Sequence, residues 1–423
     1  MTTLTWSQVC ARRLHRHALA TPAGPSGGAG PSGAAGQAVA AGQAGAADTV
    51  GGTDTVGGTG SAAGAGSAGV VAGVVSAICG AHAQVASAAE LSIGLRVAGA
   101  TRTTVRQALW TDRTLVKTRG PRGTVHLLAA ADLPMWTGAL AAIPAPPHEQ
   151  ARTLLSPEQT EQVVAAIADA LRDAELTTAE LTEEVVARTG PWAGDRVMDA
   201  FGDKWPRWIA AMEAATRRGA MCFGPNRGRT STYTSPARWL PGFTPMAGPA
   251  ALAELVRHYL YAYGPATSAH FAQWLSVPRR WAAELFASLD LDEVTVEGTP
   301  AWVTAGDTDF PPDGPSGVRL LPYFDVYQVG CHPRELLFPG GAAQRALAGG
   351  QAGNYPVLLV DGAVAGVWHQ RRSGRTVHVT VEPLTPLRAA TRRALEAQVE
   401  RVGEILEGRP TLTIGPVSVG PHA

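Results

Sequence analysis

The chain has 423 residues, enough for about two to four domains, and its 35 basic and 35 acidic side chains give a formal net charge of zero. That balance excludes a protein that coats a polyanion by bulk charge, and no apolar run reaches the roughly 18 residues of a membrane span. The four cysteines, Cys10, Cys79, Cys222 and Cys331, form neither a CxxC motif nor a disulfide framework, so reduced thiols in a cytoplasm are expected.

A first helix is read over 5–20. Residues 22–68 are rich in Gly, Ala, Ser, Thr and Pro, with TVGGT at 49–53 echoed at 55–59. Such a composition cannot bury enough apolar surface to offset its ordering entropy, so a disordered insertion is expected there. Its glycines are no nucleotide-binding loop, because no Gly-Lys-Ser/Thr follows them. An apolar run from Gly69 to Cys79 then leads to His82-Ala83-Gln84. Ser87 with Glu90 ahead of Leu91 reads as a capping box, which predicts a helix beginning near Ala88 and leaves the tripeptide extended. Residues i and i+2 of an extended segment share a face. His82 and Gln84 can therefore reach one pocket together; a hydrogen-bonded domain seam would present the same pair.

A helix over 103–110 and a hairpin over 115–129, with Gly120-Pro121-Arg122-Gly123 at its tip, close the first unit. A second unit spans 156–240, with helices at 157–173, 178–188 and 205–218 and a hairpin whose turn-rich tip is 224–228. The clearest unit is 250–305. Leu252, Leu255, Val256, Tyr259 and Leu260 give a helical apolar face, Gly264-Pro265 breaks it, helices follow at 268–275 and 278–289, and EVTVEG and TPAWVT form a hairpin. Three helices and a hairpin make a winged helix. After Gly317 the pattern turns to strands at 319–322, 356–360, 366–370 and 375–382, a helix over 387–406 and a strand at 411–414. The expected fold class is α+β: three tandem winged-helix units forming a concave scaffold, with a C-terminal β-rich portion. The expected boundaries are 1–140, 150–245, 246–310 and 315–423.

Charge is unevenly spread. Seven basic residues and one acid lie between Arg96 and Arg122, whereas eight acids and one base lie between Glu158 and Glu184. The asymmetry permits a basic cleft on a neutral protein; solvated helix faces give the same pattern. Lys117 and Lys204 are the only lysines.

Five segments carry a family resemblance: LTWSQVCARRLHRHAL (4–19), CGAHAQVASAAELSIGLRV (79–97), RGPRGTVHLLAAADLPMW (119–136), LLPYFDVYQVG (320–330) and VWHQRRSGRTVHVTVEP (367–383). In order and spacing they resemble the AlkZ-type bacterial DNA glycosylases, over nearly the whole chain except about 22–68. That winged-helix group carries Gln-x-Gln, His-x-Gln or Gln-x-Asp at this place, and His82-Ala83-Gln84 matches the His-x-Gln branch. Two departures stand out: the insertion itself, and Ala86 where a bulkier residue, often Met, is expected.

The resemblance implies hydrolysis of the N-glycosidic bond to an alkylated base, and for the His-x-Gln branch a bulky guanine adduct left by an intercalating antibiotic, as genotoxin self-resistance. His82 is then general base or electrostatic stabiliser; Gln84, which cannot act as a base, orients the water. A Schiff-base mechanism needs an amine nucleophile, so two lysines favour a monofunctional, water-using enzyme. The expected partner is double-stranded DNA carrying alkylated purines, bound by a monomer with no cofactor, metal or membrane. Arg119 and Arg122 at the first wing tip, Arg279 and Arg280 at a helix start, and Arg371, Arg372 and Arg375 around the Ser373-Gly374 turn are the candidate DNA contacts. Asp325 either faces the cleft or, the favoured reading, caps a turn. His15 and His17 diverge on one helix, and His126, His258, His270, His332, His369 and His378 show no metal-ligand spacing. Trp136, Trp205, Trp208, Trp239, Trp274 and Trp281 read as packing residues. Two other readings stay open: a non-catalytic winged-helix regulator, and a protein that sequesters a toxic small molecule in an interdomain cleft.

Overall fold

The computed structural model describes residues 2–24, 62–144, 154–200 and 203–422. Three stretches of the chain repeat one topology: a helix, a short strand, two more helices and an antiparallel hairpin, with the short strand paired to the last one. In the first, helix Ala62–Ala77 leads to strand Ala81–His82, helices Ala86–Gly94 and Arg102–Trp110, and strands Leu115–Arg119 and Val125–Ala129. The second runs through Pro157–Leu171, Leu176–Thr177, Thr178–Thr189, Met212–Arg217, Cys222–Arg227 and Thr230–Thr234. It carries an extra hairpin, Arg196–Ala200 with Asp203–Pro206. The third comprises Gly248–Tyr263, an Ala266 bridge to Trp302, Ser268–Leu275, Arg279–Ala287, Leu291–Val296 and Thr299–Thr304. Each is a winged helix by topology. Capping boxes at Thr101, Ser156, Thr177 and Thr267 start four of the helices, satisfying first-turn N–H groups that have no partner within the helix.

The C-terminal part is a five-stranded sheet in the order Val318–Leu321, Val357–Val360, Ala363–Ser373, Thr376–Pro383, Arg409–Ile414. Only the last pair is parallel, joined by the crossover helix Ala389–Ile405. That helix packs Leu395, Val399, Val402 and Ile405 on the sheet together with Leu91 and Leu95 of the first unit. The contact is close: a Cβ on Gly94 would stand 2.6 Å from Ile405 Cγ2. Arg401 fastens it by donating to the carbonyls of Gly94, Val97 and Ala100 at 2.8–3.0 Å. The segment that carries His82 is thus tied to the C-terminal sheet through the helix that follows it.

Several sequence expectations change. Helix Ala62–Ala77 begins inside the stretch read as disordered, and Ala23 bridges Val97 in parallel; residues 25–61 lie outside the described residues. This helix, not the N-terminal one, is the first helix of the first unit. Helix Trp6–Arg16 instead joins the third unit. Thr3–Leu4 adds a parallel strand to Leu291–Val296, Arg12 and Arg16 both bind Asp307, and Arg13 donates to Pro265 O at 2.9 Å. The Ser87–Glu90 capping box does not form. The helix starts two residues earlier, after Val85, because Glu90 is engaged by Arg106 at 2.6 Å. Helix Leu133–Ala142 and the short helices Val326–Gly330, Arg334–Leu337 and Gly341–Ala346 are additions. Trp136, Trp208, Trp239 and Trp274 are buried, but Trp205, on the extra hairpin, is 45% exposed. All four cysteines are buried and unpaired. Among the described residues no helix is long and apolar enough to cross a membrane.

Candidate active site

The place of His82 follows from how the preceding helix ends. Cys79 and Gly80 both take left-handed backbone, with φ of 58° and 88°, and Gly80 N–H closes the helix on Val75 O at 2.8 Å. A Cβ at Gly80 would lie 2.6 Å from Leu128 Cδ2, so glycine lets the chain pass directly from helix into strand Ala81–His82. There His82 pairs across the sheet with His126. Their rings lie 4.2 Å apart, tilted by 39°, and Phe324 of the C-terminal part approaches His82 at 6.4 Å between centroids.

Arg122 Nη2 lies 3.0 Å from His82 Nε2. A guanidinium only donates, so Nε2 accepts and the neutral imidazole carries its proton on Nδ1. Burial, then His126 and Arg122, hold the His82 pKa well below the ordinary imidazole value. His126 Nδ1 lies 2.8 Å from Thr124 O and therefore donates; burial brings this group to about 3. Both histidines are neutral at physiological pH. Gln84 lies two residues beyond His82, at a bend outside the strand, exposed, with Oε1 accepting from Val125 N–H at 3.4 Å. The segment's buried end thus carries the imidazole and its solvent end the amide.

The basic residues fall into two groups. Arg122, at φ 61° in the turn Pro121–Gly123, reaches inward and also donates to Trp274 O of the third unit. Arg119 folds onto Gly123 O at 3.0 Å and approaches Met212 Sδ at 3.7 Å. Neither is displayed at the wing tip as expected, because backbone carbonyls and His82 satisfy their donors. Nor does the run from Arg96 to Arg122 form an open basic cleft. Arg96, Arg102 and Arg106 pair with Asp325, Glu407 and Glu90, while Arg113 and Lys117 lie over the rings of Trp239 and Phe223. The second group is exposed: Arg279, Arg280, Arg371, Arg372 and Arg375. Arg280 pairs with Glu284 at 2.8 Å. Arg372 folds back onto the carbonyls of Gly374, Leu406 and Glu407 at 2.7–3.3 Å. The sequence reading missed Arg409, an exposed residue whose N–H bonds to Arg375 O at 2.7 Å. It missed Phe324 and the partnership of His126 as well; only strand register reveals the latter.

Asp325 takes the capping role. It accepts from Tyr327 N–H at 3.0 Å and is buried against Arg96 and Ser92. Among the described residues no three His, Cys, Asp or Glu side chains converge as a metal centre.

A family model described as DNA glycosylase AlkZ-like matches residues 75–405. An interstrand DNA cross-link repair glycosylase of Streptomyces sahachiroi is 31% identical over 312 residues, which are 70% of this chain and 81% of that protein. The solved structure of the Streptomyces sahachiroi DNA glycosylase AlkZ superposes with a TM-score of 0.73 at 26% identity, covering 98% of this chain and 100% of that one.

Proposed function

Since the chain belongs to the AlkZ-like DNA glycosylase family, we propose that it is a monofunctional enzyme that hydrolyses the N-glycosidic bond of bulky N7-alkylguanine adducts. The observation that carries this reading is His82: buried, neutral and fixed with Nε2 as its acceptor. An N7-alkylated guanine is already cationic and leaves without being protonated. The enzyme must supply a nucleophile and stabilise an oxocarbenium-like sugar. Water attacks C1′, the C1′–N9 pair passes to the base and neutralises it, and the water's proton goes to His82 Nε2. A neutral imidazole can take that proton; an imidazolium cannot. Gln84, at the solvent end of the segment, holds the water or the sugar.

Water rather than an amine as nucleophile is supported by the lysines. Lys117 lies over the Phe223 ring at 4.8 Å, and Lys204 is exposed on the extra hairpin of the second unit. DNA is bound by a monomer through the exposed arginines, Arg371 and Arg375 foremost, with Arg279 and Arg280 on the third unit. Genotoxin self-resistance in the cytoplasm fits a bulky substrate. The test is base release from duplexes carrying either a bulky N7-guanine adduct or N7-methylguanine, with borohydride present in parallel. Faster release of the bulky base without a trapped protein–DNA adduct supports the reading. A borohydride-trapped complex contradicts the monofunctional mechanism, and a preference for N7-methylguanine contradicts the bulky substrate.

A further inference from the structure

Arg122 has two acceptors, His82 Nε2 and the Trp274 carbonyl, and among the described residues it forms no ion pair. A partly buried guanidinium without a carboxylate is costly to hold, and here it covers the lone pair that the proposed chemistry needs. We propose that Arg122 is a positioning residue that caps His82 Nε2 in the free protein and is drawn off by a DNA backbone phosphate when substrate enters, freeing the base only in the loaded site. The inference rests on the glycosylase reading above.

The turn is built for such a move. Arg122 lies between Gly120 and Gly123, and Gly123 has a φ of 69°. A Cβ at Gly120 would stand 2.8 Å from His126 Nδ1, so the turn settles over the histidine pair only because none is there. A phosphate carries the negative charge that neither present acceptor offers, and guanidinium–phosphate bonds are roughly twice as strong as neutral ones. The groups around the pair are few. His126 faces His82 from the neighbouring strand, Tyr263 faces Arg122 from helix Gly248–Tyr263, and His332 and Arg334 feel Arg122 from the C-terminal part. None of these is an acid at neutral pH; the carboxylate beside the turn is Glu213 of helix Met212–Arg217, which a Cβ on Gly123 would meet at 3.4 Å and which pairs with Arg217 at 3.6 Å.

Two variants test this: Arg122→Ala, and Arg122→Gln, which keeps hydrogen-bonding capacity without the charge. Single-turnover release from a duplex with one bulky N7-guanine adduct gives the pH profile of kcat/KM, and binding to a duplex with a tetrahydrofuran site gives the salt slope. Removing a cation beside an imidazole favours its protonated form, so the acid limb should move up by about one pH unit in both variants. The slope of log K against log salt should become shallower by about 0.9, the share of one phosphate contact. Arg122→Lys should restore the salt slope. A merely structural role would lower melting temperature and rate while leaving limb and slope in place, and that result overturns the proposal. So does an Arg122→Gln protein that behaves as wild type. If wild type itself releases no base, the glycosylase reading fails and the proposal falls with it.

Discussion

Arg96 and Asp325 meet as a two-point ion pair with no solvent exposure on either side, each N–O distance 2.8 Å. Burial alone would raise the Asp325 carboxyl, but Arg96, the Ser92 hydroxyl and the Tyr327 N–H together hold it below the usual carboxylate range. The pair joins the end of the helix after His82 to the turn that carries Phe324. Arg96→Met leaves a buried carboxylate without its cation and should cost about 3–5 kcal/mol. The double variant Arg96→Met with Asp325→Leu should recover most of that, read as denaturant midpoints. Equal losses in both would show that the pair does not act as a unit.

Buried neutral histidines make stability fall on the acid side. His17 and His126 are each brought to about 3 by burial first, against 6.5 for the free group. Below pH 6.5 the unfolded chain binds protons that the folded protein refuses, down to about pH 3, so their stabilising contribution is lost through that window. Each costs about 2 kcal/mol at pH 5. The melting temperature should drop steeply between pH 7 and pH 5, and His17→Phe should flatten the drop. A melting temperature level across that range contradicts the assignment.

The three hairpin arginines should separate. Arg372 holds the carbonyls at the end of helix Ala389–Ile405, whereas Arg371 and Arg375 project. Arg372→Ala should lower both melting temperature and DNA affinity. Arg371→Ala and Arg375→Ala should leave the melting temperature within about 1 °C and each make the salt slope of binding shallower by about 0.9. Three indistinguishable variants would contradict the geometry.

Gly120→Ala tests the seat of the wing tip. The added methyl meets His126 Nδ1 at 2.8 Å, and overpacking of this kind costs about 1–3 kcal/mol. Melting temperature should fall, and base release should fall by more than the loss of folded protein explains. Gly228→Ala, at a hairpin tip with nothing near its Cβ but a φ of 62°, should lose stability alone.

Much of the fold was legible because its signals are local. The apolar face of Gly248–Tyr263, the Gly264-Pro265 break after it and the hairpin of Leu291–Val296 with Thr299–Thr304 depend on neighbours in sequence. What failed was tertiary. Ser87 and Glu90 have capping spacing, but Arg106 claims the glutamate. The alanine- and glycine-rich start of Ala62–Ala77 lacks a polar face to mark it as a helix; it is held by Val71, Val74 and Val75, which pack on Ile93, Leu109 and Leu115. His82 does lie in extended chain, in strand Ala81–His82, although the capping box that implies it does not form, and Gln84 falls at a bend beyond the strand. That Arg122 faces His82 rather than solvent, and that the His126 ring lies against it, arises within the first unit between segments 40 residues or more apart, where spacing carries no information.

The central claim is that His82 and Gln84 carry out the hydrolysis. The most direct measurement is base release, read as alkali-labile sites, from a duplex carrying one bulky N7-guanine adduct, with wild type beside His82→Ala and Gln84→Ala and binding measured in parallel. The account predicts release by wild type, loss of at least about 100-fold in His82→Ala as expected for a general base, a smaller loss in Gln84→Ala, and DNA affinity within about twofold in both. Undiminished release by His82→Ala, or a loss matched by equally weakened binding, would contradict it.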